Sequence, residues 1–200
     1  MTLTLDTEIT TTANSNLVKF GEGTLVFAEG NVNSHARMRI QEGVLEVFDD
    51  NQLGKAGGLL TLNGGTVRFR GDTTSSRKIT VRGPGGQINA DDGHTVTWDN
   101  EVNGSGVLTK GGDGTLVLNA DNSMKGLVVG AGITEMTDHR GIGESGASLT
   151  LRGARARFTS SFTSETTNCG SAPRAAPSPS PTDTRSPGTV VSPTPGPPPR

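Results

Sequence analysis

The sequence predicts an all-β protein, a right-handed parallel β-helix (a solenoid) with a disordered Pro-rich C-terminal tail. Three observations carry this expectation. Short alternating runs of β-prone residues are cut apart by glycine-rich corners, and no helical period survives so many glycines. Strand starts recur at Thr24, Val44, Thr66, Gly86 and Gly106, at intervals of 20, 22, 20 and 20 residues. That spacing is the length of one coil holding two or three short strands. Finally, a longer module repeats. GEGTLVF (21–27) matches GDGTLVL (112–118) at an offset of 91, while 43–54 matches 132–143 and LTLNGGTVRF (60–69) matches LTLRGARARF (149–158) at offsets of 89.

The elements follow in order. Residues 1–16 are rich in Thr and Asn, and Thr2 to Leu5 alternates as an edge strand or cap would. Leu17 to Phe20 opens the regular part, and Thr24 to Phe27 follows a glycine turn. Arg37 to Ile40 alternates charged with apolar residues, one face out and one in. Further strands are expected at Val44–Phe48, Leu59–Leu62, Thr66–Phe69, Lys78–Val81, Gln87–Asn89, Thr95–Trp98 and Gly106–Leu108. The clearest stretch is Gly112 to Met136, where Thr115–Leu118, Gly126–Val129 and Ile133–Met136 are separated only by turn residues. Such a unit cannot cover its own apolar face and must stack on copies of itself. Roughly seven coils fit between Leu17 and Phe158, a rod on the order of 30 Å long at about 4.8 Å per rung.

The interior should be laddered by Leu25, Phe27, Leu45, Val47, Leu60, Leu62, Val67, Phe69, Leu116 and Leu118. Val44-Leu45 should lie parallel to Leu25-Val26 or Thr66-Val67, and Leu116 should pack between Leu108 or Leu127 and their equivalents. The rival β architecture is a sandwich or jelly roll, which a rung period near 20 without a long strand disfavours. Ten of the 11 prolines lie from Pro173 onward. The domain reading is therefore an edge or cap over 1–16, a repeat domain of about seven coils over 17–158, and a disordered tail over 159–200.

Composition narrows the function. Only 30% of residues are hydrophobic and tyrosine is absent, which suits a thin core repeated along an axis better than a thick globular one. The net charge is −2, with 18 basic and 20 acidic residues mixed, unlike the basic footprint of a nucleic-acid binder. A single cysteine, Cys169, excludes an internal disulfide framework and a cysteine-rich zinc site. No apolar run is long enough to span a membrane. The first 16 residues lack a basic stretch followed by a hydrophobic one, so an exported protein would have to supply its signal elsewhere.

These residues carry a resemblance. Gly112-Asp113-Gly114-Thr115-Leu116-Val117-Leu118, then Gly126-Leu127-Val128-Val129 and Gly132-Ile133-Thr134-Glu135-Met136, resemble the passenger-associated strand repeats of bacterial autotransporters. Leu53-Gly54 and Leu60 to Phe69 extend the match in the first module. Asp121 to Gly126 departs from the family's usual turn. The resemblance implies a β-helical passenger segment, exposed on the cell surface or released through an outer-membrane barrel that this chain does not contain. It acts as a scaffold or adhesin, without enzymatic activity or cofactor. A host-cell receptor or matrix is the implied partner, not nucleic acid and not a lipid bilayer.

Two other readings stand beside it. One is a carbohydrate-active β-helical enzyme. The other is a truncated or frameshifted remnant, since the repeat stops in mid-module before the proline-rich tail, which otherwise reads as a linker or stalk. Asp91, Asp92, His94 and Asp99 form the densest polar cluster, able in principle to bind a metal or act on a polysaccharide; the plainer reading is a turn, since Asp and Gly make corners. His35, His94 and His139 occupy unrelated repeat positions. Ser145 lacks the context of a nucleophile elbow, and Gly83-Pro84-Gly85-Gly86 has no lysine or helix to make a phosphate loop. Trp98 is either a sugar platform or a buried aromatic. No catalytic or metal residues are assigned. The binding candidate is Arg70-Gly71-Asp72, an integrin-type tripeptide that should protrude after the strand ending at Phe69, although chance also produces such tripeptides.

Overall fold

The computed structural model describes residues 1–11 and 14–160, together with the backbone of 168–171. The first strands are β1 (Thr2–Leu5), β2 (Asn16–Lys19), β3 (Thr24–Phe27), β4 (Arg37–Ile40), β5 (Val44–Val47), β6 (Leu59–Leu62) and β7 (Thr66–Phe69). Next come β8 (Thr73–Ser75), β9 (Ile79–Val81), β10 (Gly86–Ala90), β11 (Thr95–Trp98) and β12 (Val102–Asn103). The series closes with β13 (Val107–Gly111), β14 (Thr115–Leu118), β15 (Gly126–Val129), β16 (Ile133–Met136), β17 (Ser148–Leu151), β18 (Arg155–Phe158) and β19 (Asn168–Ser171). Single turns of 3₁₀ helix lie at Asp50–Leu53 and His139–Gly141.

These strands form three parallel sheets wound into a β-solenoid of about seven turns. The longest face runs β1-β3-β5-β7-β10-β13-β15-β17-β19; a second runs β8-β11-β14-β16-β18 and a third β2-β4-β6-β9-β12. Val44 pairs with both Thr24 and Thr66, and Leu45 with both Leu25 and Val67, all parallel, as the repeat predicts. The expected tail, 159–200, lies outside the described residues apart from Thr159, Ser160 and β19. The β19 backbone continues the longest face beyond Phe158 by pairing with β17.

The core is the column of inward side chains. Phe27, Leu45, Val67, Ile88, Leu108, Leu127 and Leu149 are buried along the longest face, and Phe69 meets Trp98 edge-to-face at 6.3 Å between centroids. Trp98 is thus an interior residue; its indole N–H donates to the Arg77 carbonyl at 2.6 Å. Leu116 is buried as expected, but its in-register neighbours are Val96 and Thr134. Leu108 and Leu127 pair with each other on the longest face, because the corner at Gly112–Gly114 turns the chain between Leu108 and Leu116.

The long repeat also has a geometry that spacing alone does not convey. β3, β5 and β7 lie on the longest face, whereas their partners at offset 89–91, β14, β16 and β18, lie on the second. Likewise β2, β4 and β6 occupy the third face and their partners β13, β15 and β17 the longest. The chain makes four coils from β2 to β12 and then turns one more face before the module restarts at β13. The second module is therefore the first one rotated by a face.

Its internal hardware is duplicated faithfully. Lys19 reaches back to the carbonyls of Gly21 at 2.6 Å and Glu42 at 3.0 Å; Lys110, 91 residues later, reaches Gly112 at 2.7 Å and Ala131 at 3.2 Å. Burial lowers both ammonium pKa values, that of Lys110 to about 8, with Asp113 opposing the shift there and Glu42 opposing it at Lys19. Asn33 accepts from the Ile9 amide and donates to the Gln52 carbonyl; Asn122 accepts from Val102 and donates to Gly141. Each asparagine clips three successive coils. Asp49 and Asp138 cap the two 3₁₀ turns by accepting from Asn51 and Arg140.

His35 is the odd member of this set. It is fully buried, and among the described residues neither ring nitrogen makes a well-formed hydrogen bond, the Leu53 carbonyl being only a weak neighbour. Its counterpart in the second module is Met124, also buried. Both carbonyls accept from the residue after a glycine, Lys55 and Glu144 respectively. Burial, then the nearby Arg77 charge, lowers the His35 pKa from 6.5 to about 4, partly opposed by the Leu53 carbonyl. The unfolded chain therefore binds more protons than the fold between these values, and stability should fall as pH drops from about 6.5 to 4. Replacing His35 with methionine should flatten that slope in melting temperatures measured across the window. Leu116→Ala should cost about 2–5 kcal/mol by lost burial and a cavity, read by urea denaturation.

Candidate functional site

Two sequence candidates converge on one groove. The corner between β7 and β8 holds Arg70-Gly71-Asp72, and the turn between β10 and β11 holds Asp91, Asp92 and His94. Because β7 pairs with β10 and β8 with β11, the two corners are adjacent in the stack. The groove between them has a volume of about 830 Å³, and its walls include Glu46, Phe48, Arg68, Arg70, Asp92 and Asp113. Asp99 is not part of it. It lies beyond the far end of β11, where it accepts from Asn119 at 2.7 Å.

The tripeptide forms a tight three-residue corner and does not protrude. The Arg70 amide donates to the Val47 carbonyl, and Gly71 lies so close to the Phe48 carbonyl that a Cβ would sit 2.9 Å from that oxygen. The Arg70 guanidinium lies over the Phe48 ring at 5.3 Å and is 3.6 Å from Glu46. Asp72 is 75% exposed; one carboxylate oxygen accepts from the Thr95 amide at 2.7 Å and lies 3.5 Å from His94 Nδ1. Its second oxygen makes no hydrogen bond among the described residues.

Arg68 dominates the electrostatics of the groove. Its guanidinium grips Asp91 with two bonds, at 2.7 and 3.0 Å, and touches Glu46 at 3.2 Å. The hydrogen bond to Asp91 is the main cause of an Arg68 pKa above its usual value. Each Asp91 oxygen thereby accepts one bond from Arg68, and the paired cation competes with a metal ion or a proton for that carboxylate. Gly93 takes φ +77° and the His94 amide closes onto the Asp91 carbonyl at 3.1 Å, so Asp91 to His94 is a turn. Among the described residues no group of three or more His, Cys, Asp or Glu is placed to hold a metal ion.

The remaining candidates are structural. Ser145 lies in the loop before β17, and Gly83 to Gly86 turns the chain from β9 into β10. His139 belongs to the second 3₁₀ turn. Arg68 and Glu46 were missed from sequence, although both stand at outward positions of neighbouring rungs and a register argument would have paired them. Buried Arg77 was missed as well. It binds the carbonyls of Asp50, Leu53, Gly54 and Lys55 and the Asp50 carboxylate, pinning the first 3₁₀ turn.

Comparison with known proteins matches this geometry. The model of the passenger-associated-transport-repeat family matches residues 17–47 and 108–134, which begin at the equivalent strands β2 and β13. Over 118 residues, 59% of this chain, the sequence is 36% identical to the adhesin BmaC autotransporter of Brucella suis biovar 1 (strain 1330). The aligned part spans 3% of that relative's length. No solved structure matches. Two stretches of the rod are thus similar to passenger-associated transport repeats, and part of the chain is similar to a short segment of an autotransporter adhesin.

If the groove is a paired surface feature, its charges should contribute little to stability. Asp92→Ala should shift unfolding by no more than about 0.5 kcal/mol, and Asp91→Asn by about 1 kcal/mol or less, because Arg68 remains 42% exposed to water. Added calcium should leave the melting temperature unchanged; a rise in wild type that Asp92→Ala abolishes would establish a metal site instead.

Proposed function

We propose that this chain is a non-enzymatic stretch of passenger rod, displayed on the cell surface or released, that serves as a β-helical scaffold for adhesion to host cells or matrix. One observation supports it above others: two modules built on the same lysine and asparagine clips, both matched by the passenger repeat model, propagate one register along the rod. A scaffold of this kind gains length by adding coils without redesigning its core. The relative's name identifies an adhesin, which favours attachment over catalysis. The paired state of Asp91 favours the same side, because a glycan-cleaving site needs a free acid and a free base.

Within this reading, Arg70-Gly71-Asp72 is the proposed contact point. The free oxygen of Asp72 is available to a partner's metal ion, and Arg70 can swing off Phe48 and Glu46 to meet a carboxylate. Beads coated with the purified chain should attach to cultured mammalian cells in magnesium-containing medium. Asp72→Glu keeps the charge but moves it, and should reduce attachment about tenfold if the tripeptide is a hot spot. Attachment equal to that of uncoated beads would refute the adhesive role. Undiminished attachment by Asp72→Glu would leave adhesion intact and eliminate this corner.

A further inference from the structure

We infer that the third face of the rod carries a binding surface for an acidic polysaccharide, separate from the Arg70-Gly71-Asp72 corner. Four cations stand on or beside that face. Arg37 and Arg39 project from β4, while Lys78 and Arg82 flank β9, two rungs further along. All four are exposed, and among the described residues none makes an ion pair or a side-chain hydrogen bond. Arg37, Arg39 and Arg82 border a depression of about 330 Å³ that Asn16, Val18, Met38, Leu59 and Thr61 also line, and Lys78 stands just before β9. No carboxylate lines the depression, and Glu42 and Glu101 accept from the Gly21 amide and the Ser123 hydroxyl.

A chain with net charge −2 has enough carboxylates to pair these cations, and elsewhere on the rod several arginines are paired. Arg68, Arg140 and Arg157 each meet an Asp or Glu. The internal repeat supplies a control on whether folding needs the arginines. The positions equivalent to Arg37 and Arg39 are Gly126 and Val128 in β15, which forms the same kind of strand without them. The arginines are therefore additions to a strand that folds without them.

The ligand class follows from the geometry. Two rungs separate the pairs by about 10 Å, a flat spacing that an extended chain with regularly repeated anions can bridge. Guanidinium groups bind carboxylate and sulfate oxygens through two parallel bonds. No aromatic side chain borders the depression for base stacking. Its apolar content is Val18, Leu59 and the buried Met38, too little exposed apolar surface to enter a bilayer. A sulfated or carboxylated glycan is what remains.

The test uses the full chain and heparin as probe, with affinity measured by calorimetry at low and physiological salt. Binding should weaken with salt, as exposed charge contacts do. Arg37→Thr combined with Arg39→Val should lose about tenfold in affinity. Lys78→Gln with Arg82→Gln should lose a similar amount. Arg155→Thr with Arg157→Val removes the same charge from another face and should change affinity less than about twofold. Melting temperatures check that each variant folds. Absent heparin binding in wild type, equal loss in the control variant, or stronger binding to single-stranded DNA or phosphatidylserine vesicles would each overturn the proposal. None of these readouts depends on Asp72, so failure here is distinguishable from failure of the adhesive corner.

Discussion

Everything in this rod depends on the backbone register between successive coils. A single coil exposes both edges of every strand and cannot bury its inward side chains; only a neighbour in the same register closes both deficits at once. Corners must therefore superimpose as closely as strands. Gly43 and Gly132 show how tight that is. Both adopt positive φ, and a Cβ there would lie 2.4 and 2.3 Å from the carbonyl oxygens of Gly23 and Gly114 on the preceding coil. Any larger residue would push the coils apart at the point where the chain turns. Lys19 and Lys110 complete the corner by collecting carbonyls that the turn leaves without amide partners. Their cost in desolvation shows in lowered pKa values.

Register also explains why the module can be rotated by one face. The three faces offer the same backbone ladder, so a strand pair with its corner fits on any two adjacent faces. What must be kept holds the coils in register: the buried lysine, the asparagine clip, the glycine corner and the capping aspartate. What points outward is free to change. Arg37 and Arg39 become Gly126 and Val128, and the charged residue Glu46 keeps its sign as Glu135, which now pairs with Arg157 on another side of the rod. Duplication with rotation thus distributes different surfaces around one core design.

The architecture was legible in the sequence because glycine spacing and alternation report register directly. The strands from Thr24, Arg37, Thr66, Thr95 and Thr115 stand where alternation puts them. β8 and β12 were not legible. They are three and two residues long, too short to show alternation, and are defined by the neighbours they pair with. The 3₁₀ turn at Asp50–Leu53 was equally hidden, since it is held by Arg77 from 27 residues away in sequence. At the candidate site, the sequence placed Arg70 to Asp72 and Asp91 to His94 at corners but misjudged the form of the first. A glycine between Arg70 and Asp72 suggests a projecting loop; the stack above it, through Phe48 and Thr95, flattens it against the rod.

The contrast between the two charged surfaces follows from the same stacking. Outward residues in register are close enough that opposite charges on adjacent rungs pair readily, as Glu46, Arg68 and Asp91 do across three rungs. On the third face the registers place Arg39 beside Val18 and Thr61, and Arg37 beside Asn16 and Leu59, so no carboxylate is presented to either arginine. A ladder that can pair its charges gains a mutually screened surface with a weak external field. A ladder that leaves them unpaired keeps its field directed into solvent, where it acts on whatever anionic chain approaches. Both outcomes arise from which residues occupy outward positions, and neither disturbs the buried column that sets the rod.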